Sequence, residues 1–503
     1  MLNLLTCEQI RLTDQYTIQN KPVSSLDLME SASCAFVGAF KSEFPDINIS
    51  ICIYCGTGNN GGDGLAVARL LKEAGYEKVS VQVVRFSEKS TADFDENLKR
   101  LKLTGITVLE IHENDNLILE SSDLIIDALL GSGLNKPLDG FLKEFVRHIN
   151  SQNKKIVSID VPSGFFAEGK IDTKNVCIHA DLVLTFQRPK INFFFPESAE
   201  ALKRFKVVNI GLDDNFIQSL ESEWRLTEDS DIHHILKARR NFSHKGTYGH
   251  SLIIAGSEAT MGAALLCADA CLHAGSGLTT ACIPLQGLTA LNCYCPEVMA
   301  LVRGDDNISQ IRSGKFKTIA IGPGLGIGLE EISLLKEALN LESLQLILDA
   351  DALTILSKNT ELIKLLPLNT IITPHVKEFD RLFGTNDNWW DRLQLAREKA
   401  SELQIVILLK NQYTFVITPD KNIHINPNGN PAMASGGMGD VLTGIITALA
   451  AQGYAADEAA IAACYIHALC GDIAHKKDGM YCIPPRYIIS KIPSVINSLA
   501  NNS

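Results

Sequence analysis

Short apolar runs rich in Val, Ile and Leu recur along this chain, separated by stretches with helical spacing. No other feature constrains the fold as much. Runs without polar alternation fit strands buried on both faces, as in a parallel sheet covered by helices on each side. In the first part the runs lie at 49–54, 79–86, 107–111, 124–127, 156–160 and 181–185, with helices expected at 65–74 and 91–104. In the second part strands are expected at 251–255, 277–283, 318–321, 345–349, 370–373, 405–409 and 413–418. Two Ala-rich helices, 262–274 and 457–475, have few polar positions and belong inside. Between the parts, 212–235 is acidic and no strand is expected there. The fold class is therefore α/β, two doubly wound domains at 1–215 and 229–503 with a linker at 216–228. A chain of 503 residues is long enough for both to bury a core.

Charge and cysteine usage narrow the function. The formal charge is −12 and basic residues are interspersed, which gives no general attraction for nucleic acid or an anionic membrane. No apolar run reaches a membrane span. Residues 1–20 carry Glu8, Arg11 and Asp14 inside an amphipathic pattern, so they read as a helix and not as a signal peptide. The 13 cysteines, an odd number, fit free thiols in a reducing cytoplasm. Cys52 and Cys55 form a lone C-x-x-C within an apolar strand, which argues against zinc. Cys267 and Cys271, on one helix face, read as small core residues.

The loop from Gly56 to Gly64 joins a strand to a helix, and Gly56, Gly58 and Gly61 match G-x-G-x-x-G. Glycines there let backbone approach a phosphate at a helix N-terminus. Asp63 puts a carboxylate where that phosphate would sit, and there is no Walker lysine. A glycine-rich turn without a ligand is the plain alternative. Two further polar clusters follow strands. One is Asp127 leading into Gly131, Ser132 and Gly133; the other is Asp160 leading into Ser163. In a parallel sheet these ends share one rim, so Asn59, Asn60, Asp127, Asp160 and Ser163 could converge. Their oxygens suit a hard cation, and a strand-end Asp in a cleft suits acid–base work. Each Asp alone could equally be a helix cap.

GNNGGDGLAVARLL, DALLGSGL, SIDVPSG and HADLVLTFQRPK make residues 5–212 resemble the NAD(P)HX epimerase family, the YjeF N-terminal domain. The resemblance implies a Rossmann-like fold and interconversion of the R and S epimers of hydrated NADH and NADPH. It implies that Asn59, Asn60, Gly61, Gly62 and Asp63, with Gly131, Ser132, Gly133, Leu134, Asn135, Lys136 and Pro137, hold the hydrated nucleotide. It places potassium on Asn60, Asp127 and Ser163, and makes Asp160 the substrate-contacting acid/base residue. Phe165 and Phe166 depart from the polar residue commoner after the SG pair.

In the second half, a glycine-rich stretch ending in Gly436, Gly437, Met438, Gly439 and Asp440 opens a helix at 441–452. Such a stretch is a backbone cradle for an anion. An Asp at its end cannot favourably bind phosphate, but it can take a proton from a hydroxyl placed there. GPGLG at 322–326, LDADAL, Thr373-Pro374-His375 and Lys410 also follow strands. Taken singly, His375 and Lys410 could be structural.

HKGTYGH, GPGLG, LDADAL, TPH and NPAMASGGMGDVLTGI make residues 230–500 resemble the ADP-dependent NAD(P)H-hydrate dehydratase family, which is ribokinase-like. By that resemblance Asp440 is the catalytic base and also contacts substrate. Lys410, Asn411, Gln412, Tyr413 and Thr414 contact ADP, as do Asn430, Pro431, Ala432, Met433, Ala434, Ser435, Gly436, Gly437, Met438 and Gly439. Ala263, Gly326, His375, Val376, Lys377, Glu378, Phe379, Asp380 and Arg381 line the substrate site. Two departures are Lys377, where the family has Gly, and Asn411, where it also has Gly; Asn tolerates a positive φ.

The expectation is a bifunctional cofactor-repair enzyme acting on NADHX and NADPHX. It uses ADP with Mg²⁺ in one domain and K⁺ in the other, and is a cytoplasmic homo-oligomer with no nucleic-acid or membrane partner. The rival readings are a ribokinase-like vitamin-alcohol kinase fused to a cofactor-binding domain, and a scaffold role for the first domain.

Overall fold

The two sets of apolar runs build two separate sheets. A computed structural model describes residues 1–117, 119–304, 311, 316–341 and 344–501. They divide into two units: Asn3–Ser222 with Asn388–Asp391, and Met1–Leu2 with Glu223–Asp387 and Arg392–Ser503.

The N-terminal unit holds a seven-stranded sheet. Its order is Thr107–Ile111, Val79–Val84, Ile51–Cys55, Leu124–Ala128, Lys155–Ile159, Leu182–Phe186, Phe205–Val208, and every pairing is parallel. The chain starts in the middle, builds outward on one side, then returns and builds on the other. The order therefore reverses between Ile51–Cys55 and Leu124–Ala128, where a doubly wound sheet opens a crevice. Both faces are buried. Ile53 and Cys55 pack with Phe36, Leu65 and Phe94, whereas Cys52 packs with Ile125 and Phe145 on the opposite face. The two cysteines thus point apart, and all 13 are free.

One boundary differs from the sequence reading. The helix after Ile51–Cys55 begins at Asn59 and runs to Glu73, so all of the expected loop after Gly58 is helical. Helix propensity disfavours its glycines, but packing requires them. A Cβ on Gly61 would lie 1.9 Å from the Gly56 carbonyl oxygen, and one on Gly64 would lie 2.7 Å from the Cys55 sulfur.

The C-terminal unit is built on an eleven-stranded sheet. From Val406–Leu409 through Ile371–Ile372, Gln345–Leu348, Thr318–Ile321, His250–Ile254 and Leu278–Ile283 to Met299–Val302 the pairing is parallel. Phe415–Ile417 runs antiparallel to its two neighbours. The order reverses between His250–Ile254 and Thr318–Ile321. The Ala-rich helices Met261–His273, Met438–Ala451 and Ala456–Lys476 share one core. Small side chains let backbones meet: a Cβ on Gly444 would lie 2.3 Å from the Cys267 carbonyl oxygen.

The stretch expected to lack strands carries one. Trp224–Leu226 pairs in parallel with Ile423–Ile425, and the helix Asp214–Ser219 precedes it. Three residues with Arg225 at the centre give too short an apolar signal to read, yet Trp224 is buried.

Candidate active sites

In the N-terminal unit, the crevice at the order reversal is a cavity of about 450 Å³. Asn59, Asn60, Asp63, Gly131, Ser132, Gly133 and Asp160 line it. Of the other expected contacts, Gly61 and Gly62 lie within the helix, and Leu134, Asn135, Lys136 and Pro137 do not line the cavity.

Asp160 follows Lys155–Ile159 with φ +64°, a left-handed conformation that Asp adopts more readily than most residues. Its Oδ1 accepts from the Phe186 amide (2.9 Å) and Thr185 Oγ1 (3.1 Å), and pairs with Lys190 Nζ at 2.7 Å. Among the described residues nothing donates to Oδ2. One oxygen is anchored and the other is left for chemistry. Lys190 is 2% exposed and was not singled out from sequence. Its signal was weak: a lysine behind a proline, just past an apolar run. Asp14 and Arg11 also line this cavity, from the helix Cys7–Asn20, where they read as a solvated face.

Asp63, expected as a negative charge beside the phosphate, lines the cavity, and burial, with Asp160, Asp14 and Asp93 nearby, holds its carboxyl well above the ordinary range.

Asp127 is fully buried. Its carboxylate accepts from Ser163 Oγ (2.6 Å), Ser158 Oγ (2.8 Å), the Ser163 amide (2.9 Å) and the Leu129 amide (3.3 Å). Asn60 Nδ2 donates to the Leu130 carbonyl at 2.9 Å, which Ser163 Oγ also reaches at 3.2 Å. Asn60, Asp127 and Ser163 therefore gather around Leu130. Carboxylate, amide, hydroxyl and carbonyl oxygens with one formal charge fit a monovalent cation. The two serine hydroxyls can rotate to turn lone pairs toward it.

In the C-terminal unit, buried Asp349 pairs with half-buried Lys410 at 2.8 Å, and Thr443 donates to the second Asp349 oxygen at 2.8 Å. Burial opposes ionisation of Asp349, but Lys410, Thr373 and Thr443 outweigh it and hold its pKa low. Asp440 stands in the first turn of Met438–Ala451. Burial, then the Asp349 charge, pushes its carboxyl up to about 7, against the pull of Lys410. No described residue donates to it. The helix is capped by Gly437 at φ +96°, a conformation natural to glycine.

Beside these residues lies a cavity of about 390 Å³. It is lined by Lys410, Asn411, Gln412, Thr414, Asn430, Pro431, Met433, Ala434, Met438 and Gly439. Tyr413, Ala432, Ser435, Gly436 and Gly437 do not line it; Ser435 Oγ donates to the Ile483 carbonyl instead. Asn411 does not use a positive φ. His467, hidden from sequence reading inside an Ala-rich helix, also lines the cavity. Its buried Nε2 has no partner, and burial lowers its pKa to about 4, so the ring is neutral.

The expected substrate residues are less uniform. Ala263 lies against Gly324 at the order reversal, and the Gly326 amide donates to Asp351 at 2.8 Å. His375 caps Val376–Phe383 and is bridged by Glu378. Lys377 and Arg381 are exposed. Phe379 and Asp380 correct the expectation: Phe379 is fully buried against Phe383, and Asp380 is held by Arg392 at 3.1 Å. In a helix only one face reaches a site, and these two lie on others.

Comparison with known proteins gives a family for each half of the chain. A family described as YjeF-related protein N-terminus matches residues 25–192, and one described as NAD(P)H-hydrate dehydratase matches 251–494. A bifunctional NAD(P)H-hydrate repair enzyme from Moorella thermoacetica is 33% identical, over 99% of this chain and 97% of its own. One from Thermofilum pendens is 32% identical, over 98% and 95%. A ribokinase-like superfamily protein from Enterococcus faecalis superposes with TM-score 0.50 at 26% identity, covering 56% of this chain and 98% of its own. Among the described residues no helix is long and apolar enough to cross a membrane. With an N-terminal Rossmann-like unit and a C-terminal ribokinase-like one matched end to end, the chain belongs to the bifunctional NAD(P)H-hydrate repair enzymes, which pair an epimerase with a dehydratase.

Proposed function

We propose that residues 1–215 interconvert the R and S hydrates of NADH and NADPH, and that residues 229–503 dehydrate the S hydrate with ADP. The observation that carries this is the pair of poised carboxylates. Asp160 is anchored by Lys190 through one oxygen, and Asp440 is held near a pKa of about 7 beside a nucleotide-sized cavity.

In the second site Asp440 takes the proton from the C6 hydroxyl as that oxygen attacks the β-phosphoryl group of ADP. The hydroxyl, a poor leaving group, becomes a phosphate ester as AMP departs; phosphate then leaves C6 with the C–O electron pair, a proton leaves C5 to water, and the C5=C6 bond of the dihydronicotinamide is restored. A base with a pKa near neutrality suits this transfer. Lys410, fixed by Asp349, offers positive charge beside the glycine cradle. Neutral His467 offers an unused ring nitrogen to the nucleotide. Among the described residues no cluster of three or more His, Cys, Asp or Glu could hold a metal. Mg²⁺ would therefore be held largely by phosphate oxygens and water, as it commonly is. In the first site K⁺ would be held by Asn60, Asp127 and Ser163 and would order the glycine-rich helix start.

The test is incubation of the full chain with a mixture of R and S hydrates and ADP. Complete recovery of dihydronicotinamide absorbance with one AMP released per hydrate supports the reading. A stable phosphomonoester would support a kinase instead. Replacing K⁺ by a large organic cation should slow consumption of the R hydrate only.

A further inference from the structure

Inverting C6 means breaking a bond to that carbon and remaking it on the other face. One group must give a proton to the departing oxygen and another must take one from the incoming water. Asp160 can do only one of these in a single turnover. The N-terminal cavity holds a second carboxyl suited to the other. Asp14, on Cys7–Asn20, lines the same cavity as Asp160 and Lys190. Among the described residues its carboxyl takes no hydrogen bond and no ion pair, although it is only partly exposed. A carboxyl held without a polar partner contributes nothing evident to the fold, and it lines the space where the ligand belongs.

We propose that Asp14 is a catalytic residue of the epimerisation and shares one proton with Asp160. The proposal rests on the reading of Asp160 as an acid/base residue. On the R hydrate, protonated Asp14 gives its proton to the C6 hydroxyl oxygen. The C6–O bond breaks with its electron pair on oxygen, water leaves, and the N1 lone pair forms a C6=N1 double bond. Solvent water adds to the opposite face of C6, its proton passes to Asp160, and the electron pair returns to N1. No electron is gained or lost, and one proton has moved between the carboxyls. The S hydrate runs the same steps backwards.

The surroundings favour this division. Burial, then the Asp160 charge, pushes the Asp14 carboxyl up to about 6, while Lys190 pulls the other way. The other charged or titratable groups facing the cavity are Asp63, Arg11 and Arg188. Asp63 is itself held toward its neutral form, and Arg188 is engaged by Asp214 at 3.0 Å. Asp213 caps the start of the helix Asp214–Ser219, which packs on the Asp14 helix through Phe216 and Tyr16. Asp160 is tied to Lys190 and Asp14 has no such cation partner, which makes Asp14 the proton donor toward the R hydrate.

The experiment follows epimer ratio chromatographically, on the full chain without ADP, starting from pure R hydrate, between about pH 5 and about pH 8. Because the pair must retain one proton, kcat/KM should fall about tenfold per pH unit above about pH 6. Asp14→Asn should lower kcat at least about 10²-fold and flatten that limb. Asp14→Glu should keep turnover with the limb displaced. Epimerisation in ¹⁸O-water should place solvent oxygen on C6. Near-normal turnover in Asp14→Asn, an unmoved limb in both variants, or inversion without ¹⁸O uptake would overturn the proposal. Asp160→Asn separates the two ideas. If it alone is inactive, Asp14 is not catalytic; if it is active and Asp14→Asn is not, the Asp160 reading falls.

Discussion

At the scale of single residues, function rests on charges held where water would not hold them. Asp440 must be ionised to accept a proton, and its carboxyl sits at about 7. Its pKa is raised, so the active form is lost as pH falls. Dehydration of pure S hydrate should therefore drop about tenfold per unit below about pH 7 and level off above it. Asp440→Asn should cost at least about 10²-fold in kcat at every pH and remove that dependence. Turnover of the variant near the parent value would dismiss the base. Lys190 makes the opposite case. Lys190→Met would leave Asp160 buried without its cation, so urea unfolding should show a loss of about 3 kcal/mol, and epimerisation should fail with it. These residues differ in how legible they were. Asp160 and Asp440 stand at the ends of glycine-bearing motifs, where few roles fit. Lys190 and Asp14 have no local signature: each acquires its role from a carboxylate brought near by the sheet, and sequence spacing does not carry that information.

At the scale of elements, glycine placement decides more than propensity does. Gly444 lies mid-helix, where it costs about 1 kcal/mol relative to Ala. Even so, Gly444→Ala should destabilise. Its Cβ would meet the Cys267 carbonyl oxygen at 2.3 Å, Ala270 Cβ at 2.8 Å and the Cys271 amide at 3.0 Å. Two of these are backbone atoms of Met261–His273, so the helices must part. Overpacking of this kind costs about 1–3 kcal/mol, net of some propensity gain. The thermal midpoint should fall by a few degrees, and an unchanged or higher midpoint would show that the interface yields. The same logic explains which elements could be read. Central strands such as Ile51–Cys55 and Thr318–Ile321 are buried on both faces and appear as unbroken apolar runs. Phe205–Val208 and Met299–Val302, as short as Thr318–Ile321, escaped because they are largely exposed, and Ile423–Ile425 escaped because three residues give too little signal. The helix start at Asn59 escaped because its glycines argue against a helix until the strand they pack on is known.

At the scale of the molecule, the chain joins two reactions in series, since a dehydratase acting on one epimer needs an epimerase to consume the other. Nothing in that logic requires direct transfer; a released S hydrate can diffuse. The two activities should therefore survive separation, provided the cut respects the sheets. Sequence alone placed the start of the second domain at 229, but Trp224–Leu226 is hydrogen-bonded to Ile423–Ile425. A fragment beginning at 229 would expose the edge of Ile423–Ile425, and an unpaired apolar edge invites association. A fragment of residues 223–503 keeps this strand and loses only the two-residue edge strand Leu2–Asn3 beside it. It should remain monodisperse at concentrations where 229–503 aggregates, and it should consume S hydrate with ADP at close to the parental rate while leaving the R hydrate to its slow spontaneous inversion. Adding a fragment of residues 1–222 in trans should restore consumption of the R hydrate, at a rate rising with its concentration and saturating when the dehydratase becomes limiting. Light scattering and hydrate consumption together decide the matter. Equal behaviour of the two C-terminal fragments would make the edge strand dispensable, and failure of the mixed fragments to use the R hydrate would show that the activities depend on one continuous chain.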